Sequence, residues 1–301
     1  MKKILLITLF IIIIFLSSCK GCIINNEYNF REQFIIDNSY QFNEFLFYNN
    51  SIIKIDYSKI DNNTLYIPNY INEKMVSGIA DPFVPISQDT PNVLTIDGRN
   101  GINKIYLNEY LTMLDPIWEL YEKYEFTCYE IYNIKELFIP STHFSIVDEK
   151  TYDLDAFSNY LSLYKLCDNI YIPKLFYDFW LNDGDFTITS TDECKILYDF
   201  NYTTTISCKT LKEDFTTYIK AANVAYYYNY DGAPNNNYYF IDNSDDGYVI
   251  KPKYDPVRVG YEFIGWFTEE ECINEFNFET DVLFDEIEKG YKEYKLFAKW
   301  R

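Results

Sequence analysis

Along the middle of the chain, short runs of β-forming residues return at near-regular intervals, and most of them stop on proline. Leu65-Tyr66-Ile67-Pro68, Leu137-Phe138-Ile139-Pro140 and Ile170-Tyr171-Ile172-Pro173 share one shape, and Lys104-Ile105-Tyr106-Leu107 repeats it without the proline. Ile67, Leu107, Ile139 and Ile172 stand 40, 32 and 33 residues apart. Ile-, Tyr- and Phe-rich runs favour strands, and proline ends a ladder because it has no N–H to donate. Residues 111–124 and 154–167, between the runs, read as helical or irregular pieces. A unit of this size cannot bury its apolar face by itself, whereas stacked copies bury a continuous core. The recurrence therefore predicts a stacked-strand solenoid.

Residues 62–85 resemble the opening of a Bacteroides-surface-protein-type leucine-rich repeat, with Ile67, Pro68, Val76, Ile79 and Phe83 in the family's order. A second stretch places Ile139, Pro140, Ile146, Ala156, Phe157 and Leu163 the same way. The spacing is stretched and the usual glycines are mostly missing, so the resemblance implies degenerate repeats over residues 45–215. The competing reading is an ordinary α+β domain with a few Ile-Pro steps.

Beyond Ala222 the pattern changes. Asp231-Gly232 carries hairpin-turn chemistry between aromatic runs, and Pro252 and Pro256 lead into Tyr261-Glu262-Phe263-Ile264-Gly265-Trp266-Phe267. Both parities of that run are apolar, which predicts a strand covered on both faces. Gly265 would let a backbone or a ring pack close, and a last strand from Tyr294 to Trp300 would close the sheet. The residues Pro256, Arg258, Gly260, Tyr261, Phe263, Gly265 and Trp266, then Phe276 and Phe278, then Leu296, Phe297, Ala298, Lys299 and Trp300 follow one order. That order resembles the Listeria–Bacteroides repeat, the B-repeat of internalin-type surface proteins, with Phe297 in place of the family's tyrosine. The resemblance implies a small β-grasp-like domain over 222–301, on a secreted or surface-tethered bacterial protein. It makes these residues structural core and turn positions.

At the N-terminus, Lys2 and Lys3 precede a 13-residue apolar run, Ile4 to Leu16, and then Ser17 and Ser18. This is the layout of a secretory signal peptide, and the run falls short of the roughly 20 apolar residues of a membrane-spanning helix. Leu16-Ser17-Ser18-Cys19 resembles the bacterial lipobox. The resemblance implies cleavage after residue 18, lipidation of Cys19, and a membrane partner on the outer face of the cell membrane; the polar, mixed residues after it make 19–44 a lipidated tether and entry segment. A lipidated Cys19 is a thioether, so Cys19-Lys20-Gly21-Cys22 is no redox pair. Cys22, Cys128, Cys167, Cys194, Cys208 and Cys272 remain. Secretion permits disulfides among them, isolated buried thiols are the alternative, and the sequence does not choose.

The chain carries 26 basic and 46 acidic residues, a net charge of −20. Removing the first 18 residues takes away Lys2 and Lys3 and no acid, which deepens it to −22. Such a chain repels nucleic acid and anionic lipid. Aromatic residues make up 20%, which suits either sugar stacking or a β-rich core read from an AT-rich genome. His143 sits outside any nucleophile motif, and no metalloprotease or phosphate-loop motif is present. The run from Asp242 to Gly247 imitates the start of a calcium loop, but its twelfth position is Lys253 instead of Glu. It reads as a polar hairpin loop, and Leu181 to Asp185 reads as a turn.

Together these features predict a β-rich α+β chain, an irregular leucine-rich-repeat-like solenoid followed by a small β-grasp-like domain. The expected role is non-catalytic adhesion or recognition of an extracellular protein or glycan, without metal or cofactor. A ligand-free surface spacer is the alternative. A carbohydrate-active enzyme built on two carboxylates is a third reading.

Overall fold

The computed structural model describes residues 33–79, 93–111, 128–141, 146–148, 151–152, 167–182, 193–199, 203–209, 214–285 and 292–301. Cys19, Cys22, Phe83, His143, Ala156, Phe157 and Leu163 lie outside these residues, as do nearly all of the two interstrand pieces expected at 111–124 and 154–167. The described chain is strand-rich, with a helix at Lys174–Asn182. Leu181 and Asn182 end that helix, where the sequence suggests a turn.

The four recurring runs fall side by side in one parallel ladder. Thr64–Tyr66, Lys104–Tyr106, Ile134–Phe138 and Cys167–Ile172 are neighbours in a seven-stranded sheet, and Asp214–Ala221 adds a fifth parallel strand. Thr203–Lys209 and Glu193–Asp199 continue the sheet antiparallel to its far edge. Leu65, Ile105, Leu137, Ile170 and Ile219 share one register and are all fully buried. The next residue in each run makes a second line: Tyr66, Tyr106, Phe138 and Tyr171 stack at centroid distances of 4.9, 4.4 and 4.5 Å. Lys220 occupies the fifth rung, its ammonium 5.6 Å from the Tyr171 ring. Adjacent residues of a strand point to opposite faces, so the aliphatic and aromatic lines form the two sides of the sheet. The aliphatic line is buried throughout, and the aromatic side is buried at Tyr106, Phe138 and Tyr171 but only partly at Tyr66 and Lys220; parallel sheets are usually covered on both faces.

The ladder runs on for one residue past the strands. Ile67 donates to the Tyr106 carbonyl, Leu107 to Phe138 and Ile139 to Tyr171, each at 2.9 Å. Proline follows in three runs. In the second, Asn108 stands there instead, buried, its Nδ2 donating to the carbonyls of Pro68 and Val76. Its Oδ1 accepts from the amides of Tyr110 and Leu111.

A second line of strands is interspersed with those of the ladder along the chain. Ser51–Ile55 pairs parallel with Gly78–Ile79, and Val93–Asp97 with Cys128–Tyr132. Among the described residues, every non-glycine position with positive φ except Glu73 and Cys272 is an asparagine, including Asn62, Asn63 and Asn133 between the two lines. Asparagine tolerates the left-handed region better than most residues. Asn63 and Asn133 thus turn the chain into the ladder strands that follow them. Gly98 is retained for a different reason: a Cβ there would lie 1.9 Å from the Asn133 carbonyl oxygen.

The last described region forms a four-stranded mixed sheet in the order Tyr238–Asp242, Val224–Tyr227, Tyr294–Trp300, Phe263–Phe267. The 294–300 strand sits inside the sheet, parallel to 224–227 and antiparallel to 263–267. Three local expectations change. Asp231-Gly232 does form a turn, with the Ala233 amide donating to the Tyr230 carbonyl. That turn lies within a ten-residue connection from Tyr228 to Asn237, and is not a two-residue hairpin loop. Ile264 is exposed, so the 263–267 strand is open over part of one face. What approaches Gly265 is the Glu275 carboxylate, 2.9 Å from where a Cβ would stand, and neither backbone nor ring.

Candidate functional site

The aromatic rungs are the obvious candidate for a stacking surface, and the structure buries them. Tyr106, Phe138 and Tyr171 are each less than 5% exposed and share a core with Val224, Tyr226, Tyr238, Phe240 and Trp266 of the four-stranded sheet. Phe240 stacks on Tyr106 at 4.8 Å. The Tyr106 hydroxyl donates to buried Asp242 Oδ1 at 2.8 Å, and the Ile250 amide approaches Oδ2. Burial raises the Asp242 carboxyl, against the hydrogen bond from Tyr106.

Two further contacts hold this seam. Asn235 Nδ2 donates to the Pro140 carbonyl at 2.8 Å. Lys253 pairs with buried Glu44 at 2.7 Å and lies 5.8 Å from the Tyr66 ring. Lys253, which breaks the calcium-loop pattern, is thus an interface cation. In the same loop, Ser244 Oγ accepts from the Gly247 amide, and the Ser244 amide and carbonyl are both held by the Asn223 side chain. Asp242, the first position of that pattern, is engaged by Tyr106.

The most unusual group at the seam is Glu109. It follows the second ladder run and is 5% exposed. Its Oε1 accepts from Asn69 Nδ2 at 3.2 Å and from the Tyr228 hydroxyl, and its Oε2 is buried with no hydrogen-bond partner. Burial pushes the carboxyl up to about 7 against the Tyr228 and Tyr110 hydroxyls and the Asn69 amide. The same burial, with the Glu109 charge beside it, drives the Tyr228 hydroxyl far above its ordinary range. Sequence reasoning missed this node. Glu109 is one of 46 acids, and its partner Tyr228 is 119 residues away.

The motif residues of the four-stranded sheet divide between core, bracing and turn. Trp266 is buried against Tyr226, Tyr239 and Phe263, with centroids at 5.1, 5.7 and 5.2 Å. Trp300 is partly buried, and its Nε1 donates to the Tyr228 carbonyl at 2.6 Å. Phe276 packs edge-on to Phe278, and Phe278 stacks with Tyr226. Leu296 and Ala298 are fully buried on the inner strand, and Pro256 is buried. Gly260 takes a positive φ of 81°. Arg258 lies between two rings, 4.3 Å from Tyr230 and 3.6 Å from Tyr261. Around it Val257, Val259 and Tyr261 are at least half exposed, Val259 at 94%. This braced loop is the most outward apolar feature of the motif.

Among the described residues no helix is long and apolar enough to cross a membrane. No curated protein matches the chain. Residues 225–288 match the Listeria-Bacteroides repeat domain. The 294–300 strand lies beyond the matched residues, yet it pairs with strands on both sides of it within the same sheet.

Proposed function

We propose that this chain is a non-catalytic bacterial surface lipoprotein, anchored through Cys19, that recognises an extracellular protein or glycan. In this reading the parallel ladder is a degenerate leucine-rich-repeat solenoid, and the repeat matched at residues 225–288 is a β-grasp-like module seated on its aromatic face. The observation that carries the proposal is the repeat match, because repeats of that family occur on secreted and tethered bacterial proteins. The seated module supports a contact surface other than the aromatic rungs. The exposed loop Val257–Tyr261, stiffened by Arg258 between two rings, supports recognition on the outward side of the repeat. Many copies on one membrane would make weak contacts count together.

The covered aromatic rungs also favour a second reading, a rigid spacer that binds nothing. One experiment separates the two. The mature chain from residue 19, carrying Cys19→Ser so that no lipid is added, is screened on arrays of glycans and extracellular-matrix proteins. The recognition reading expects a saturable hit that weakens at least tenfold in the Val259→Ser/Tyr261→Ala variant. A hit insensitive to that pair moves the surface elsewhere on the molecule. The absence of any hit at micromolar protein selects the spacer.

A further inference from the structure

We infer that Cys194 and Cys208 form an intramolecular disulfide that ties the terminal hairpin of the seven-stranded sheet. Glu193–Asp199 and Thr203–Lys209 pair antiparallel without a break in register, from Glu193↔Lys209 to Asp199↔Thr203, and that register sets Cys194 opposite Cys208. Directly opposed residues on antiparallel strands have Cα atoms about 4.5–5.5 Å apart and Cβ atoms in a similar range. A disulfide spans Cα atoms about 4.4–6.8 Å apart and Cβ atoms about 3.5–4.5 Å apart. The Cα ranges overlap and the Cβ ranges meet near ~4.5 Å, so closing the bond needs an approach of at most about 1 Å and no change of register.

The other described cysteines have no such neighbour in register. Cys128 stands opposite Val93, and Cys167 opposite Ile134. Cys167 is buried and free, its thiol pushed up to about 12 by burial. Cys272 is buried and free in the repeat. Six cysteines leave the pairing open in sequence; the register selects one pair. The bond would fall at a place where the fold gains from it. Among the described residues the 193–199 strand is an outer edge of the sheet, paired on one side, and edge strands fray and invite foreign pairing.

The chemistry is thiol–disulfide exchange. One thiolate attacks a sulfur of an external disulfide such as oxidised glutathione, and one glutathione thiol leaves. The second cysteine attacks the mixed disulfide and releases the other. The S–S bond of glutathione breaks, that of the protein forms, and the protein loses two hydrogens.

The test uses the mature chain with Cys19→Ser, equilibrated in a glutathione redox buffer, so that its outcome does not depend on where the protein resides. Remaining thiols are alkylated and the chain is cut with trypsin. Cleavage after Lys195 and Lys209 puts the two cysteines on separate peptides, 175–195 and 196–209. The expected result is one joined species of these peptides that separates on reduction. Recovery of both peptides alkylated, or of either joined to a peptide carrying another cysteine, overturns the inference. Reduction is also expected to lower the melting temperature by about 5–10 °C, and to leave a Cys194→Ser/Cys208→Ser variant unmoved. An equal fall in both proteins would mean a different bond and overturn it.

Discussion

Glu109 is the residue through which pH reaches the fold. Burial pushes its folded carboxyl up to about 7, while an unfolded glutamate has a pKa of ~4.3. Between those values the folded state holds more protons than the unfolded state, so stability falls as pH rises and levels off above the folded value. Asp242, also raised by burial, contributes with the same sign. Urea denaturation from pH 5 to pH 8 is expected to show a loss on the order of 2–3 kcal/mol. Glu109→Gln keeps an oxygen for Tyr228 and Asn69 but carries no charge, so the slope is expected to shrink by more than half. An unchanged slope would mean that water reaches Oε2. Two glycines make a second contrast. At Gly247 φ is +79°, and a Cβ would lie 1.9 Å from the Phe284 carbonyl oxygen. At Gly265 the nearest atom is the end of the exposed Glu275 side chain. Gly247→Ala is expected to cost at least about 2–3 kcal/mol and Gly265→Ala under about 1 kcal/mol, although only Gly265 belongs to the repeat's motif.

At the scale of elements, the parallel ladder rests on the two lines of side chains that flank each strand. Phe138 is the middle of the aromatic line, fully buried and stacked on Tyr106 and Tyr171. Phe138→Ala is expected to cost about 3–5 kcal/mol, read as a lower urea midpoint. A loss below about 1 kcal/mol would mean that neighbouring rings close the gap. These strands were legible in the sequence because each run announces itself locally, by β-formers and, in three of the four, a terminating proline. The register was legible too, since Ile67, Leu107, Ile139 and Ile172 recur at the matching place. Less visible was the fifth parallel strand, Asp214–Ala221. It carries Lys220 and Ala221 where the other rungs carry rings and branched aliphatics, so no recurring signature marks it. The turns were hidden in another way. Asn62, Asn63 and Asn133 hold the positive φ angles there, and asparagine is too common in this sequence to flag them. The motif of the repeat was plain, but Arg258's place between two rings was not, because Tyr230 is distant in sequence and carries no motif of its own.

At the scale of the molecule, ladder and repeat are joined by a core and not by a linker. The 214–221 strand ends at its last ladder partner, and the repeat's first strand begins at Val224. Tyr106, Phe138 and Tyr171 belong to the same buried cluster as Trp266 and Leu296. Nothing local in the sequence predicts this, since contacts such as Tyr106–Asp242 span 136 residues. Domains that meet through small polar interfaces melt separately, whereas a shared apolar core couples their unfolding. Heating is therefore expected to give one transition in which the fluorescence of Trp266 and Trp300, read in a Trp118→Phe/Trp180→Phe background, and the far-ultraviolet strand signal fall together. Phe138→Ala should move both signals to the same lower temperature, although residue 138 lies far outside the repeat in sequence. Native-state hydrogen exchange gives a second reading of the same coupling. Amides of the 134–138 and 294–300 strands should open with one free energy, and that shared value should drop in Phe138→Ala. Two transitions, with the tryptophan signal unmoved by the substitution, would show that the seam is a contact between independent folding units. In that case residues 222–301 could be studied without the ladder. If the transitions coincide, cutting the repeat away exposes stacked aromatic rings, and deletion cannot be used to map binding.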